Sequence, residues 1–261
     1  MFLRIAGMRS MEQSVVSEKE KIEERSQRKL RVRMYIIKTE QDMISIAIDG
    51  PSGVGKSTIA KLLAEELNYT YIDTGAMFRA LSVYCLDNNV SPEDEKNVTE
   101  LTGTAKLDIE HVSGVQHMIV NGTDVTDKLR TEKVSQTASV ISQYPEVRSI
   151  LLKMQRAVAD RQNVIMDGRD IGTVVLPNAK LKVFLTASAK VRAERRYKQL
   201  QETGKLDGAT LKSILEDLEE RDYRDSHRAA APLKAADDAV IIDTSELDIE
   251  EVKARILEEL A

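Results

Sequence analysis

The stretch IAIDGPSGVGKST, residues 46–58, decides the fold class of this chain of 261 residues. Residues 44–49 form a short apolar run that ends at a glycine, which is typical of a buried parallel strand. Residues 56–67 then carry apolar side chains at the spacing of one helix face. Between them, Gly50 to Ser57 match the pattern GxxxxGK followed by Ser or Thr. This order of strand, glycine-rich turn and helix predicts a phosphate-binding loop.

The chemistry of this loop depends on its glycines, on Lys56 and on Ser57. Glycines let the main-chain N–H groups turn inward around a phosphate, and the following helix adds a favourable dipole. Lys56 can reach the β- and γ-phosphates of a nucleotide, and Ser57 can ligate Mg²⁺. The predicted nucleotide-binding residues of the loop are Gly50, Pro51, Ser52, Gly53, Val54, Gly55, Lys56, Ser57 and Thr58.

Strands and helices alternate along most of the remaining chain. Further strands are predicted at residues 69–73, 164–167, 181–185 and 240–243, with helical patterns between them. Such alternation predicts an α/β fold, with a mostly parallel sheet covered by helices on both faces. One helix is predicted to begin at the capping-box pattern Ser91–Asp94, and Asp248 is predicted to cap the last helix.

Two segments do not fit this alternation. Residues 107–112 and 115–120, followed by Asn121-Gly122, predict a small antiparallel hairpin. A long, charged helical region runs from Ser188 to about Arg228. We expect a domain at 43–261, with a core (43–73, 161–190, 236–261), a lobe carrying the insert (74–160) and a helical lid (191–235).

Residues 1–42 differ from the rest of the chain, because they mix charges densely and hold few apolar positions. We expect a charged extension here, as a solvated helix or arm, with the catalytic domain beginning at Met43. The cluster RKLRVR also permits an RNA-binding arm, but the interleaved glutamates argue against it.

Composition and charge argue against several classes of function. The formal net charge of −5 does not favour binding to DNA or to acidic membranes. Cys85 is the only cysteine, which excludes an intrachain disulfide and a Cys/His zinc site, and its apolar context predicts a core position. No apolar run approaches the roughly 20 residues that span a membrane, and the first residues do not form a secretory signal. We therefore expect a cytoplasmic protein without nucleic-acid or membrane partners.

The residues after the third predicted strand favour a kinase over other proteins with this loop. GTPases carry an NKxD element, which is not found here, and motor ATPases end a longer strand in paired acids. Here the strand at 164–167 is followed by Gly168, Arg169 and Asp170. An arginine beside the phosphates fits an acceptor that is itself anionic.

Several arginines far apart in the chain are candidates for binding that acceptor. The candidate acceptor residues are Thr74 and Arg79 after the second strand, Arg169 and Asp170 after the third, and Arg221, Asp225 and Arg228 at the spacing of one helix face. Each cluster also has a structural interpretation: an ordinary helix start, a buried Arg–Asp pair and a solvated ion-pair ladder. Arg192, Arg195 and Arg196 are candidates to close over ATP and exclude water.

In this order, the motifs resemble those of the bacterial cytidylate kinase family. The resemblance runs from about Ile44 to the C-terminus and includes YIDTGAMFRAL, QYPEVR, MDGRDIGTVVLPNA and ERDYRDSHRAAAPLKAA. It implies a P-loop nucleoside monophosphate kinase fold, and transfer of a phosphoryl group from ATP, with Mg²⁺, to CMP or dCMP in pyrimidine metabolism. It also suggests a monomer. The charged extension departs from the family pattern, as does Ser52, where members often carry alanine.

The resemblance also implies roles for individual residues. Thr74, Arg79, Arg169 and Arg228 look like ligands of the CMP phosphate, Arg148 and Asp170 like readers of the cytosine, and Ser139, Arg221 and Asp225 like contacts of the sugar and its surroundings. Lys56, Arg169 and Arg228 are then expected to stabilise charge during transfer, and Arg195 to contact ATP.

Cytosine and uracil differ in the groups that Asp170 and Arg148 are expected to meet. Cytosine presents an N4 amino donor, which a carboxylate accepts, whereas uracil presents a carbonyl there. Arg148 can donate to N3 and O2 of cytosine, and N3–H of uracil opposes it. We therefore expect CMP and dCMP to be preferred over UMP, by on the order of 10⁴-fold at most.

Two alternatives stay open on the sequence. The chain is a kinase of another small acceptor, such as UMP or shikimate, or it is a nucleotide-dependent switch or RNA-associated protein that uses its basic arm. A panel of acceptors separates the first alternative from a CMP kinase. The second predicts partner binding without acceptor-stimulated ATP turnover.

Overall fold

Five parallel strands, numbered in chain order with the others, form the central sheet. The computed structural model describes residues 43–112 and 114–260, so the prediction of a charged extension at residues 1–42 lies outside the described residues. The strands are β1 (Ser45–Asp49), β2 (Thr70–Asp73), β6 (Val164–Gly168), β7 (Leu181–Thr186) and β8 (Val240–Asp243). Their order is β2-β6-β1-β7-β8, and every pair is parallel. The predicted parallel α/β sheet is confirmed.

Helices cover both faces of this sheet. They are α1 (Lys56–Leu67), α2 (Thr74–Asp87), α3 (Glu95–Gly103), α4 (Glu132–Ile141), α5 (Pro145–Ala159), α6 (Ala189–Glu202), α7 (Leu211–His227) and α8 (Ile249–Leu260). Ile46 and Ile48 of β1 belong to the core under α1 and α8, whereas Ala47 belongs to the core under α2 and α5. Successive residues of a strand face opposite sides, so Ile46, Ala47 and Ile48 are all apolar because both faces of β1 are buried.

The predicted antiparallel insert is confirmed as a small second sheet. Its strands are β3 (Leu107–Val112), β4 (Val115–Val120) and β5 (Thr123–Asp124), in the order β3-β4-β5. Asn121 and Gly122, between β4 and β5, have φ angles of 50° and 80°. Both residues therefore lie in the left-handed region that two-residue hairpin turns require, which is why the Asn-Gly pair predicted the turn correctly.

One predicted helix start and one predicted helix-face position were wrong. Helix α3 begins three residues later than the Ser91 capping box, because Asp94 is its N-cap and accepts from the Asn97 N–H, while the Ser91 hydroxyl donates to Glu93 instead. The charged helical region predicted from Ser188 to about Arg228 is present as the two helices α6 and α7, and a capping box of Thr210 and Ser213 starts α7. Arg228 lies beyond α7 in extended backbone and so does not share a helix face with Arg221 and Asp225.

Other local predictions were confirmed. The Asp248 carboxylate accepts from the Glu251 N–H at 2.9 Å, while the Glu251 carboxylate accepts from the Asp248 N–H at 2.8 Å, a reciprocal cap of α8. Cys85 is a free thiol in the core. Among the described helices, none has both the length and the apolar character to cross a membrane.

Candidate active site

The phosphate loop connects β1 to α1, at the edge of the sheet where the parallel strands end. Gly50 has a φ of 147°, and a Cβ there would lie 2.1 Å from the main-chain oxygen of Leu185, so the close approach of the loop to β7 requires glycine. Helix α1 has Gly55 at its N-cap and no capping side chain. Residues 50–58 therefore wrap a helix N-terminus whose positive end faces the loop, the arrangement that binds anions.

Lys56 is buried at the start of α1, with 6% of its surface exposed. Its Nζ donates to the main-chain oxygen of Pro51 at 2.7 Å, so the side chain reaches back across the loop. Burial, together with the nearby positive charge of Arg169, lowers the pKa of Lys56 below its usual range. A polyphosphate in the loop would offset both effects, because it stabilises the charged ammonium group.

Ser57 is joined to the end of β6. Its Oγ donates to Asp167 Oδ2 at 2.8 Å, and the Tyr71 hydroxyl donates to Oδ1 of the same carboxylate at 2.9 Å. Burial raises the pKa of Asp167 above its usual range, and the charge of Asp73 adds to this effect. Asp167 was not among the residues predicted for the site, although an acid at the end of a buried apolar strand was a signal for it.

Thr74 and Arg79 lie where β2 ends and α2 begins. The Asp73 carboxylate caps α2 by accepting from the Ala76 N–H at 2.7 Å, and it also accepts from Arg79 Nη2 at 2.8 Å. Thr74 Oγ1 donates to the main-chain oxygen of Asp167 at 2.7 Å. The second strand therefore brings a hydroxyl and a guanidinium group to the same sheet edge as the phosphate loop.

Three of the predicted arginines are held by two buried carboxylates. Arg169 Nε donates to Asp225 Oδ2 at 2.9 Å. Arg148 donates to one oxygen of Asp170, and Arg228 Nη2 lies 3.4 Å from the other. These residues come from α5, from the segment after β6, and from α7 and the chain beyond it. We call the five residues, with Arg221, the arginine cluster.

The arginine cluster holds more positive than negative charge. Arg221 is partly buried, and its desolvation, followed by the charge of Arg169, lowers its pKa to about 10. Burial, followed by the charge of Arg148, likewise lowers the pKa of Arg228 to about 10. With four guanidinium groups against two carboxylates, the cluster would be stabilised by an anion. Arg169 directly follows β6, and Asp167 near the end of that strand binds Ser57 of the phosphate loop at 2.8 Å, so the cluster and the loop adjoin one another.

Ser139 lies in α4, beside the arginine cluster. Its Oγ is buried and has no hydrogen-bond partner among the described residues. One turn further on, the main-chain oxygen of Ser142 accepts from Arg148 Nη1 at 3.0 Å. A buried hydroxyl without a partner is costly, so Ser139 is a suitable contact for a polar ligand.

The three lid arginines have different surroundings. Arg192, 4% exposed, donates to the main-chain oxygens of Ala187 and Ser52, each at 3.0 Å, and to Asp222 Oδ2 at 2.6 Å. Arg195 donates to Thr244 Oγ1 at 3.1 Å, next to the phosphate loop, since that hydroxyl lies 3.5 Å from the Val54 oxygen. Arg196 donates to the exposed side chain of Gln199. Arg192 therefore fastens α6 and α7 to the loop.

Asp49 connects the phosphate loop to the segment that carries Arg169 and Asp170. Its two carboxylate oxygens accept from the N–H groups of Ile171, at 2.8 Å, and Gly172, at 2.7 Å. These two residues begin a π-helical turn, Ile171–Val175, directly after Asp170. Burial raises the pKa of Asp49 from 3.8 to about 6.

Asp49 is expected to make stability depend on pH. Because its folded-state pKa is raised above 3.8, its stabilising contribution is present below that pH and is lost as the pH rises through about 6. Asparagine does not titrate, so the stability of Asp49→Asn lacks this contribution to the pH dependence. Between pH 4 and 7, the free energy of unfolding of Asp49→Asn relative to wild type should therefore rise, by up to about 3 kcal/mol. Urea unfolding of both proteins over this range measures the difference, and parallel pH profiles would contradict the expectation.

Comparison with known proteins finds one family across most of the chain. The family model described as "Cytidylate kinase" matches residues 46–261. A cytidylate kinase of Caldicellulosiruptor bescii is 49% identical over 215 residues, covering 82% of this chain and 94% of that protein. One of Lactobacillus johnsonii is 47% identical over 216 residues, covering 83% and 93%. One of Halalkalibacterium halodurans is 45% identical over 214 residues, covering 82% and 96%.

The solved structures that align with this chain include kinases of other small molecules, at low similarity. A shikimate kinase from Bacteroides thetaiotaomicron aligns with a TM-score of 0.46 at 17% identity, over 84% of this chain and 99% of that one. A gluconokinase from Sinorhizobium meliloti aligns with a TM-score of 0.44 at 16% identity, over 83% and 91%.

Proposed function

The chain belongs to the cytidylate kinase family, and we propose that its phosphate loop and arginine cluster carry out the reaction ATP + (d)CMP to ADP + (d)CDP. The observation that carries this proposal is the convergence of Lys56 and the arginine cluster at one edge of the sheet, where the parallel strands β1 and β6 end side by side. Two phosphate groups must approach each other for this transfer, and their charges repel. A site with this excess of buried and partly buried cations suits that task.

On the donor side, the loop amides and Lys56 hold the β- and γ-phosphates of ATP. Lys56 is already directed across the loop by its hydrogen bond to Pro51, so little reorganisation is needed when the phosphates enter. The phosphates restore the charged form of Lys56 that burial disfavours. Arg195, next to the loop through Thr244, contacts the nucleotide.

On the acceptor side, Thr74, Arg79, Arg169 and Arg228 bind the phosphate of CMP. Asp225 orients Arg169 through its bond to Nε, and Nη2, which has no hydrogen-bond partner among the described residues, can meet a phosphate oxygen. The acceptor oxygen is already anionic, so transfer needs alignment and charge neutralisation rather than a strong general base. Lys56, Arg169 and Arg228 supply the positive charge.

Mg²⁺ accompanies ATP in this proposal, and the residues near the loop fit it. The Ser57 hydroxyl and the Asp167 carboxylate are adjacent oxygen donors, which Mg²⁺ prefers. The described residues contain no cluster of three or more acidic, histidine or cysteine side chains for a metal, and Mg²⁺ in kinases is commonly completed by substrate phosphates and water. Bound there, the ion would neutralise charge on the β- and γ-phosphates.

The base and sugar fit between α4, α5 and the end of β6. Asp170 and Arg148, which bond to each other, read the cytosine by accepting from N4 and donating to N3 and O2. The Phe78 ring, whose centre lies 5.5 Å from the Arg148 guanidinium carbon, limits the movement of that side chain. Ser139, Arg221 and Asp225 contact the sugar and its surroundings.

We propose the same domain division as above for residues 43–261, with the extension outside the catalytic domain. The family match from residue 46 and the compact unit from Ile44 onward favour this boundary. We further propose that the protein is a cytoplasmic monomer whose partners are ATP, CMP and dCMP. Its net charge of −5 does not favour nucleic acid as a partner.

A panel of acceptors tests the proposed function. The purified chain with Mg²⁺ and ATP is expected to release ADP rapidly with CMP and dCMP, and at least about 100-fold more slowly with UMP. AMP and shikimate serve as further acceptors. Equal turnover of UMP would contradict the assignment of Asp170 and Arg148, and acceptor-independent hydrolysis would contradict a kinase.

A further inference from the structure

The outer edge of β2 is covered by side chains of the small sheet instead of by another strand. Within the part of the chain that the structure describes, β2 is the edge strand of the parallel sheet and pairs only with β6. On its other side, His111 Nε2 lies 3.1 Å from the main-chain oxygen of Tyr71. Gln116 Oε1 accepts from the Asp73 N–H at 2.8 Å, and Gln116 Nε2 donates to the Asp73 oxygen at 3.2 Å. The small sheet therefore holds the main chain at the very end of β2.

The Gln116 carboxamide is chemically suited to this contact. A carboxamide carries an acceptor and a donor in one plane, so it can bind the N–H and the carbonyl of one residue as a neighbouring strand would. Nε2 also lies 3.1 Å from Met118 Sδ, which fixes the orientation of the amide. An apolar side chain of the same length could replace neither bond, and a shorter amide could not span the gap.

Asp73, which Gln116 holds, determines where two acceptor-site residues lie. Its carboxylate caps α2 and binds Arg79 at 2.8 Å. The next residue is Thr74, which bonds to the Asp167 main chain at 2.7 Å. A displacement of the Asp73 main chain would therefore move both the hydroxyl and the guanidinium group that are proposed to meet the CMP phosphate.

We propose that Gln116 is a positioning residue for the acceptor phosphate, acting through the main chain of Asp73 on Thr74 and Arg79. This inference rests on the proposed function. By this proposal the small sheet has a role in the reaction. It supports the acceptor site through the Asp73 main chain and is not itself a substrate contact.

The test compares Gln116→Met with wild type in the full chain. Gln116→Met keeps the length of the side chain and removes both bonds, so KM for CMP is expected to rise by about tenfold, while KM for ATP stays within about twofold. His117→Ala is the matched control. His117 is the next residue on β4 and pairs with Asp124 at 2.8 Å within the small sheet, so its loss perturbs that sheet without affecting β2. Its KM for CMP should equal that of wild type.

A double-mutant cycle with Arg79 separates positioning from a general loss of structure. In an Arg79→Ala background, Gln116→Met should raise KM for CMP by less than about threefold further, because the residue it positions is already absent. Additive effects, or an equal rise of KM for ATP, would overturn the inference. If Gln116→Met does not fold, Gln116→Asn, which is one methylene too short, must give the same pattern. A wild-type protein inactive with CMP would instead reject the proposed function.

Discussion

Replacing Lys56 with alanine is expected to lower kcat for CMP phosphorylation by about 10³-fold, with the fold retained. Lys56 Nζ is held over the loop by the Pro51 oxygen, in a buried site where an ammonium group interacts strongly with phosphate charge. The charge on the transferred group changes most in the transition state, so the loss falls on kcat more than on KM. Loss of the buried ammonium also removes a desolvation cost, which is why the fold should survive.

Steady-state ADP release and thermal unfolding measure this expectation together. Lys56→Met, which preserves the volume of the side chain, should match Lys56→Ala in kcat. Lys96→Ala is the control, because Lys96 is an exposed lysine on α3. Near-normal turnover of a folded Lys56→Ala protein would show that Lys56 is not a catalytic cation.

Asp170→Asn is expected to have the second largest effect, which is a weaker preference for CMP over UMP. The substitution should lower kcat/KM for CMP by about 10²- to 10³-fold, because the neutral amide accepts more weakly from cytosine N4 and holds Arg148 and Arg228 less firmly. The value of kcat/KM for UMP should fall less, because an asparagine amide can donate a hydrogen bond to uracil O4, whereas the carboxylate repels that oxygen. The ratio of kcat/KM for CMP to that for UMP should therefore narrow.

The measurement is that ratio, determined for wild type, Asp170→Asn and a control. Asp217→Asn, an exposed carboxylate on α7, should leave both values unchanged. An Asp170→Asn enzyme that loses activity equally with CMP and UMP would argue that Asp170 only positions its arginines. In that case the base must be read by other groups.

Much of the fold could be predicted because the deciding signals are local. The apolar run before Gly50, the helical spacing after it and the Asn121-Gly122 pair each depend on residues within one turn or strand. The wrong start of α3 also has a local cause, because two nearby side chains could each cap that helix. Asp94 caps α3 better than Ser91 does in this setting, since Ser91 is occupied by Glu93.

The site was harder to predict, because its contacts join distant parts of the chain. Ser57 meets Asp167 across 110 residues, and Arg192 meets Ser52 across 140. Arginines near the phosphates could be expected from the sequence motifs, but the individual roles came from family resemblance and stay predictions. Gln116 could not be found from sequence, because a glutamine on an insert strand carries no signal that it binds Asp73.

The three bonds of Arg192 have a mechanical consequence for the helical lid. They tie the beginning of α6 and the middle of α7 to the phosphate loop, while the turn between these helices, residues 203–210, lies at the opposite end of α6. If α6 and α7 rotate together as a rigid body, Arg192 lies at the hinge, and residues 203–210 undergo the largest displacement. In the proposed complex, Arg192 would therefore join the helices that cover the donor nucleotide to the loop that holds its phosphates.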